Sequence, residues 1–276
     1  MEIGYLGPVG SFSDEAARLY RSQKGEAIDC IPMVSFYDVV EAVENGLVDE
    51  GILPIENSTE GAVTQVMDLL FETGIIVIRD ELILSVEHQL LGTGTQESVK
   101  KIYSHPQAIG QCRKTLKALF PEATLHTAES TSKACEIAKN GGPEIAAIAN
   151  QIAAETYELG CLKKGLQDNR LNQTRFVVIG RTEREKTGHD KTSIAFSFPS
   201  DYPGSLFLVL KAFAEAHINL TRIESRPAKK AVGNYVFYID FIGHRDEDHV
   251  AVILGELRKI TARFRVIGSY PTLQEA

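Results

Sequence analysis

Apolar residues recur in two alternating rhythms from Met1 to about Arg181. Short runs of strand character cover 2–6, 28–32, 51–55, 75–86, 101–103, 124–127, 145–149 and 176–180. Between them, at 14–22, 37–45, 63–71, 109–120, 132–139 and 151–157, apolar residues return every three or four positions, which predicts amphipathic helices. Strand and helix in alternation imply an α/β fold with largely parallel sheets.

The rhythm stops at 182–190, a charged stretch containing Gly188 and lacking apolar periodicity, which reads as a linker. Beyond it come a strand (193–198), a helix (205–216), two strands (220–224 and 235–242), a helix (247–261) and a strand (264–270). That order, βαββαβ, is the split arrangement of ferredoxin-like α+β domains. The expected organisation is therefore a first domain at 1–181, a linker at 182–190 and a second domain at 191–276. Such small domains serve many functions, so the pattern alone names none.

Composition changes the picture in one respect. Among 276 residues the formal net charge is −8, which argues against nucleic acid or an anionic membrane as the main partner. A small anion stays admissible, because local donors overrule a global charge. No basic and apolar leader opens the chain, and the apolar stretch around 74–86 is interrupted by Arg79, Asp80 and Glu81 and is too short to span a bilayer. A cytoplasmic protein is expected. Cys30, Cys112, Cys135 and Cys161 are far apart and form no paired motif, so buried free thiols are expected.

Chemistry concentrates where strands give way to helices. These junctions are Gly7-Pro8-Val9-Gly10-Ser11-Phe12-Ser13; Pro54-Ile55-Glu56-Asn57-Ser58-Thr59-Glu60-Gly61; Ser104-His105-Pro106-Gln107 running on to Gln111-Cys112; and Glu129-Ser130-Thr131-Ser132. In parallel α/β layers such junctions gather at the carboxyl ends of the strands, where ligands bind. Each presents a helix N-terminus, whose unpaired N–H groups and dipole favour anions. Ser11, Ser13, Ser130 and Ser132 read equally as helix caps. Glu56 to Gly61 places more polar side chains together than one cap needs. His105 is either a packed imidazole or a general acid, and Gln107 and Gln111, four apart, share one helix face. A last junction, Gln167 to Phe176, opens a strand with Thr174 and Arg175, and an arginine can hold a carboxylate bidentately. Gly92-Thr93-Gly94 lacks the third glycine of a dinucleotide loop, and His244 and His249 are wrongly spaced for a shared metal. No metal and no organic cofactor is expected.

These junctions resemble the signatures of the prephenate dehydratase family: Gly7-Pro-Val-Gly-Ser-Phe-Ser13, Pro54-Ile-Glu-Asn-Ser58, His105-Pro-Gln-Ala108 with Gln111-Cys112, Ser130-Thr131-Ser132 and Asn172-Gln-Thr-Arg-Phe176. The second domain is similar to the family's ACT domain, through Pro203-Gly204-Ser205-Leu206, Asn219-Leu-Thr-Arg-Ile-Glu-Ser-Arg-Pro227 and 235–240. The resemblance implies a two-lobed catalytic domain like a type II periplasmic binding protein, with lobe crossovers near 77–90 and 175–180. It also implies decarboxylative dehydration of prephenate to phenylpyruvate. Thr174 would assist the leaving hydroxyl, with Glu129 or His105 as a proton source. Asn57, Gln111 and Arg175 join it as catalytic candidates; Ser11, Glu56, Ser58, His105, Gln107, Glu129, Ser130, Thr131 and Phe176 would line the substrate site. L-Phenylalanine would act as effector at Pro203, Gly204, Ser205, Leu206, Asn219, Leu220, Glu224, Ser225, Arg226 and Pro227, in a homodimer or homotetramer. The family usually carries Gly-Ala-Leu where Gly204-Ser205-Leu206 stands here. No chorismate-mutase segment precedes the first junction, which points to a single activity. Arogenate as substrate, and a non-catalytic amino-acid sensor, are the competing readings.

Overall fold

The computed structural model describes residues 1–25, 27–200, 202–228 and 235–273. In its first sheet the strands Asp29–Met33, Glu2–Leu6, Glu50–Asn57, Gln173–Gly180 and Val77–Ser85 lie side by side in that order, and Gly61–Ala62 pairs with Glu50–Asn57. Glu2–Leu6 and Asp29–Met33 run parallel, with Ile3 opposite Cys30, as a helical crossover through Phe12–Lys24 requires. That helix has complete end signals. Ser11 caps Asp14, Asp14 and Glu15 occupy the first turn, Arg21 and Lys24 the last, and Gly25 ends it at φ 66°.

A second sheet has the order Gly160–Lys163, Gln89–Gly92, Ile145–Ala149, Lys101–Ser104, Thr124–Thr127. Lys101–Ser104 is parallel to both its neighbours, whereas Gln89–Gly92 is antiparallel to both of its own. The sheet is thus mixed rather than largely parallel. Its two additional strands carry no pattern in the sequence: all four residues of Gln89–Gly92 are buried, so alternation is absent, and only Cys161 and Leu162 of Gly160–Lys163 are apolar. The helix expected over 109–120 is also two helices, Pro106–Gln111 and Arg113–Leu119, which part at Cys112. Asp168 caps the second: its carboxylate accepts the Lys114 and Thr115 N–H groups and the Thr115 hydroxyl, each at 2.9 Å. Burial works to raise that carboxyl, but these donors hold it below its ordinary range.

The third sheet, in the order Leu220–Pro227, Tyr235–Ile242, Asp190–Ser197, Arg263–Pro271, is antiparallel throughout and realises the expected βαββαβ order. Helices Ser205–Glu215 and Asp248–Ile260 cover one side of it, where Ile194, Phe196, Ile239 and Phe241 meet Val209, Phe213, Ile253 and Leu257. The Tyr238 hydroxyl donates to the Met67 carbonyl at 3.2 Å, and the Arg263 guanidinium lies 4.1 Å from the centre of the Phe71 ring. Gly268 sits so close to Ile78 that a Cβ there would collide with the Ile78 backbone. By its internal contacts the chain divides into two compact units. One holds Met1–Val39, Ile52–Gly61 and Ile83–Phe176; the other holds Val40–Gly51, Ala62–Leu82 and Val177–Ala276. The helix Thr64–Glu72 therefore belongs with the third sheet.

Among the described residues, no helix is long and apolar enough to cross a membrane, and no cluster of three His, Cys, Asp or Glu could hold a metal ion. All four cysteines are free. Cys112 and Cys135 are buried, with thiols pushed up to about 12 by burial. Cys161 departs from the expectation of burial: it is exposed on the edge strand Gly160–Lys163.

Candidate active site

A cavity of about 330 Å³ lies within the first unit and gathers ten of the expected residues: Ser11, Asn57, His105, Gln107, Gln111, Glu129, Ser130, Thr131, Thr174 and Phe176. They come from five separate junctions of the sequence. Leu6, Phe12 and Val86 add apolar surface. Among the described residues, no Lys or Arg lines the cavity. The first turns of Phe12–Lys24 and Thr131–Gly141 both open at the cavity, and a helix N-terminus favours an anion.

At one wall Asn57 is locked by its partners. Its Oδ1 accepts the N–H groups of Thr59 and Glu60 at 2.9 and 3.0 Å, which leaves Nδ2 to donate. Nδ2 reaches Asn172 Oδ1 at 2.9 Å, the Gln173 carbonyl at 3.2 Å and Thr174 Oγ1 at 2.8 Å. Thr174 Oγ1 thus receives a hydrogen bond, and its own O–H is left for an acceptor in the cavity.

Gln111 stands at another wall. Its Nε2 donates to Glu60 Oε1 at 3.3 Å, its Oε1 lies 2.8 Å from His88 Nε2, and its carbonyl accepts the Asp168 N–H at 2.7 Å. His88 lines the cavity, is 2% exposed and packs edge-on against Phe12, with ring centres 5.4 Å apart. Burial lowers its pKa, against a smaller opposing effect of the Gln111 contact. Sequence reading missed His88, because a single histidine between two apolar runs carries no local signal.

The caps and the site coincide. Ser11 Oγ accepts Asp14 N–H at 3.2 Å and donates to the Leu6 carbonyl at 3.2 Å; His105 Nδ1 accepts Gln107 N–H at 3.3 Å; Ser130 Oγ accepts Lys133 N–H at 2.9 Å. Ser132 Oγ donates to the Val9 carbonyl at 3.2 Å. Asn150 Nδ2 donates to Glu15 Oε2 at 2.8 Å, and burial, the largest influence, raises the Glu15 carboxyl to about 7.

Three expected residues do not line this cavity. Arg175 lies between Thr174 and Phe176, which both line it, and alternation along Gln173–Gly180 turns the arginine to the opposite face. The same alternation separates Glu56 from Asn57 on Glu50–Asn57. Ser58 is exposed and structural in its contacts: its Oγ accepts Gln173 N–H at 2.9 Å and donates to the Leu171 carbonyl at 3.3 Å.

The expected effector residues are spread out. Pro203, Gly204, Ser205 and Leu206 line a second cavity of about 480 Å³ with Phe198, Tyr202, Phe207 and Phe237. Asn219 lines a different one, of about 470 Å³. Leu220, Glu224, Ser225, Arg226 and Pro227 lie on the edge strand Leu220–Pro227, where Arg226 pairs with Asp68 at 2.6 Å.

The prephenate dehydratase family profile matches residues 3–184, and the ACT domain profile matches residues 194–260. A prephenate dehydratase of Methanocaldococcus jannaschii is 39% identical, over 97% of this chain and 97% of its own length. A bifunctional chorismate mutase/prephenate dehydratase of Aquifex aeolicus is 39% identical, over 98% of this chain and 74% of its own length. Among solved structures, prephenate dehydratase from Arthrobacter aurescens in complex with L-Phe superposes with a TM-score of 0.89 at 32% identity, covering 99% of this chain and 90% of that one. A protein described as GqqA, a novel type of quorum-quenching acylase, superposes with a TM-score of 0.87 at 29% identity, covering 99% and 98%.

Proposed function

The chain belongs to the prephenate dehydratase family, whose reaction is the conversion of prephenate to phenylpyruvate, water and carbon dioxide, and we propose that Thr174 assists the departing hydroxyl. The observation that carries this is the 2.8 Å hydrogen bond from Asn57 Nδ2 to Thr174 Oγ1. Accepting that bond directs the Thr174 O–H toward the ligand and makes it a better donor.

Loss of the ring carboxylate as carbon dioxide sends its bonding pair into the ring, and the C–O bond to the ring hydroxyl breaks as the ring becomes aromatic. The departing oxygen takes a proton to become water. Because aromatisation supplies the driving force, positioning and hydrogen bonding at the departing oxygen suffice. His105 and Glu129 line the same cavity and are the candidate relays for that proton. Ser11 and Thr131, at the first turns of two long helices, together with Gln107, Gln111 and Ser130, would hold the carboxylates and the ketone. The carboxylate clamp assigned to Arg175 passes to these helix entrances.

Residues 1–181 would be the catalytic region, 182–190 the linker and 191–276 the regulatory region, in a cytoplasmic enzyme. L-Phenylalanine would lower activity by binding at Pro203–Leu206, with Asn219 to Pro227 of a second copy completing the site. The open edge of Leu220–Pro227 and the separation of the two residue groups within one chain support a homodimer or homotetramer. The likeness to an acylase does not displace this reading. Acyl transfer through an enzyme nucleophile needs that group next to a base, whereas the Ser11 hydroxyl donates to a backbone carbonyl and the His105 Nδ1 accepts a backbone N–H.

The test is an assay of the purified protein with prephenate and with arogenate, reading the aromatic product by absorbance, with and without L-phenylalanine. Turnover of prephenate is expected. Binding of either compound without turnover would leave a sensor rather than an enzyme.

A further inference from the structure

Gln111 is held by two groups of fixed chemistry. A carboxylate only accepts, so the contact with Glu60 Oε1 at 3.3 Å must be made by the amide nitrogen, and the amide oxygen faces His88 Nε2 at 2.8 Å. An oxygen facing that ring nitrogen needs a donor, so the Nε2 of His88 carries the hydrogen. The other ring nitrogen, Nδ1, is buried and has no hydrogen-bond partner. A proton there would leave a charged donor buried and unpaired, so a bare acceptor is the cheaper state. His88 is further fixed through its backbone, which donates to Gln167 Oε1 at 3.0 Å and accepts the Leu166 N–H at 2.9 Å.

We propose that His88 is a positioning residue: as the neutral Nε2–H imidazole it locks the Gln111 carboxamide so that this residue offers the cavity N–H and not oxygen. The inference deepens, and rests on, the reading that Gln111 meets the substrate. A glutamine free to rotate presents either end; one turned by His88 selects an oxygen-rich acceptor, such as a carboxylate or a ketone, over an ammonium group. Of the two related substrates, the keto acid is therefore the one this wall favours.

The test combines steady-state kinetics with spectroscopy of the full chain. His88→Leu is expected to lower kcat/KM for prephenate on the order of ten- to a hundredfold, the loss for one hydrogen bond to a charged oxygen. His88→Gln, which keeps an N–H donor, should restore most of it. In a Gln111→Leu background His88→Leu should cost little more, since the histidine then has nothing to orient. Nitrogen-15 NMR of histidine-labelled wild-type protein, with the His88 signal assigned by its loss in His88→Gln, should show a neutral Nε2–H ring at neutral pH. A ring protonated at Nδ1, or additive losses in the double variant, would overturn the proposal. So would a silent Gln111→Leu, without touching the dehydratase reading, which stands or falls on Thr174.

Discussion

Asn57 Nδ2 donates to Thr174 Oγ1 across 2.8 Å, joining residues 117 positions apart in sequence. The bond requires the strands Glu50–Asn57 and Gln173–Gly180 to be neighbours, as they are in the first sheet. The direction of the bond matters as much as its length, because it determines which partner keeps a free hydrogen.

Thr174→Ala removes that hydrogen. Turnover of prephenate is expected to fall about 10²–10³-fold, the loss associated with one donor aimed at a developing charge. Thr174→Ser should keep most of the rate. Urea unfolding should show both variants within ~1 kcal/mol of the parent, since Thr174 is only half-buried. An alanine variant with near-normal kcat would remove Thr174 from the chemistry.

Asn57→Asp separates orientation from folding. Its oxygens still accept the Thr59 and Glu60 N–H groups, so the turn survives, but it has no N–H to give Thr174. A kcat lower by about tenfold or more is expected, with a circular-dichroism spectrum matching the parent. Full activity would mean that the Thr174 hydroxyl is oriented without Asn57.

Glu15 gives a dependence on pH. Burial first, and then the charges of Glu87, Asp14 and Glu155, raise its carboxyl to about 7, against the Asn150 hydrogen bond that lowers it. The folded chain thus holds a proton that the unfolded chain releases near 4.5. The associated stability is fully present below that lower value, is lost as pH rises toward 7, and leaves a constant penalty above. Glu15→Gln should therefore raise the melting temperature at pH 8 and change it little at pH 4. An equal effect at both values would mean that Glu15 does not titrate in this window.

Arg226 and Asp68 form an ion pair whose side chains are 19% and 14% exposed. Asp68→Asn leaves the arginine largely buried with its partner's charge gone, so unfolding free energy should drop by ~1–3 kcal/mol. Basal kcat and KM should stay near the parent values, because neither residue lines the catalytic cavity. If the pair also carries the effector's influence, inhibition by L-phenylalanine will weaken; unchanged stability would remove the pair from the structural account.

Long-period patterns carried the fold well. The βαββαβ order and most of the earlier strands follow from apolar spacing alone. Gln89–Gly92 escaped because all four of its residues are buried and show no alternation, and Gly160–Lys163 because only Cys161 and Leu162 in it are apolar. The division at Cys112 escaped because its cause, the Asp168 carboxylate, lies more than 50 residues downstream. In the site, ten of the residues that the family resemblance implies line one cavity, and they come from five short junctions of the sequence. Arg175 was singled out as a fixed cation in the Asn172-Gln-Thr-Arg-Phe176 motif, whereas strand alternation argues that it and Thr174 face opposite ways. His88 escaped for the converse reason: its role exists only once Gln111 and Glu60 are brought to it.

Among the described residues no Lys or Arg lines the cavity, and this bears on how the substrate arrives. Helix ends attract an anion only within about a turn, whereas a net charge of −8 repels a dianion at long range. That repulsion reaches ~30 Å at 0.01 M ionic strength but only ~8 Å at 0.15 M. Moderate salt should therefore speed encounter with prephenate, whereas an arginine-lined pocket would lose its steering under the same screening.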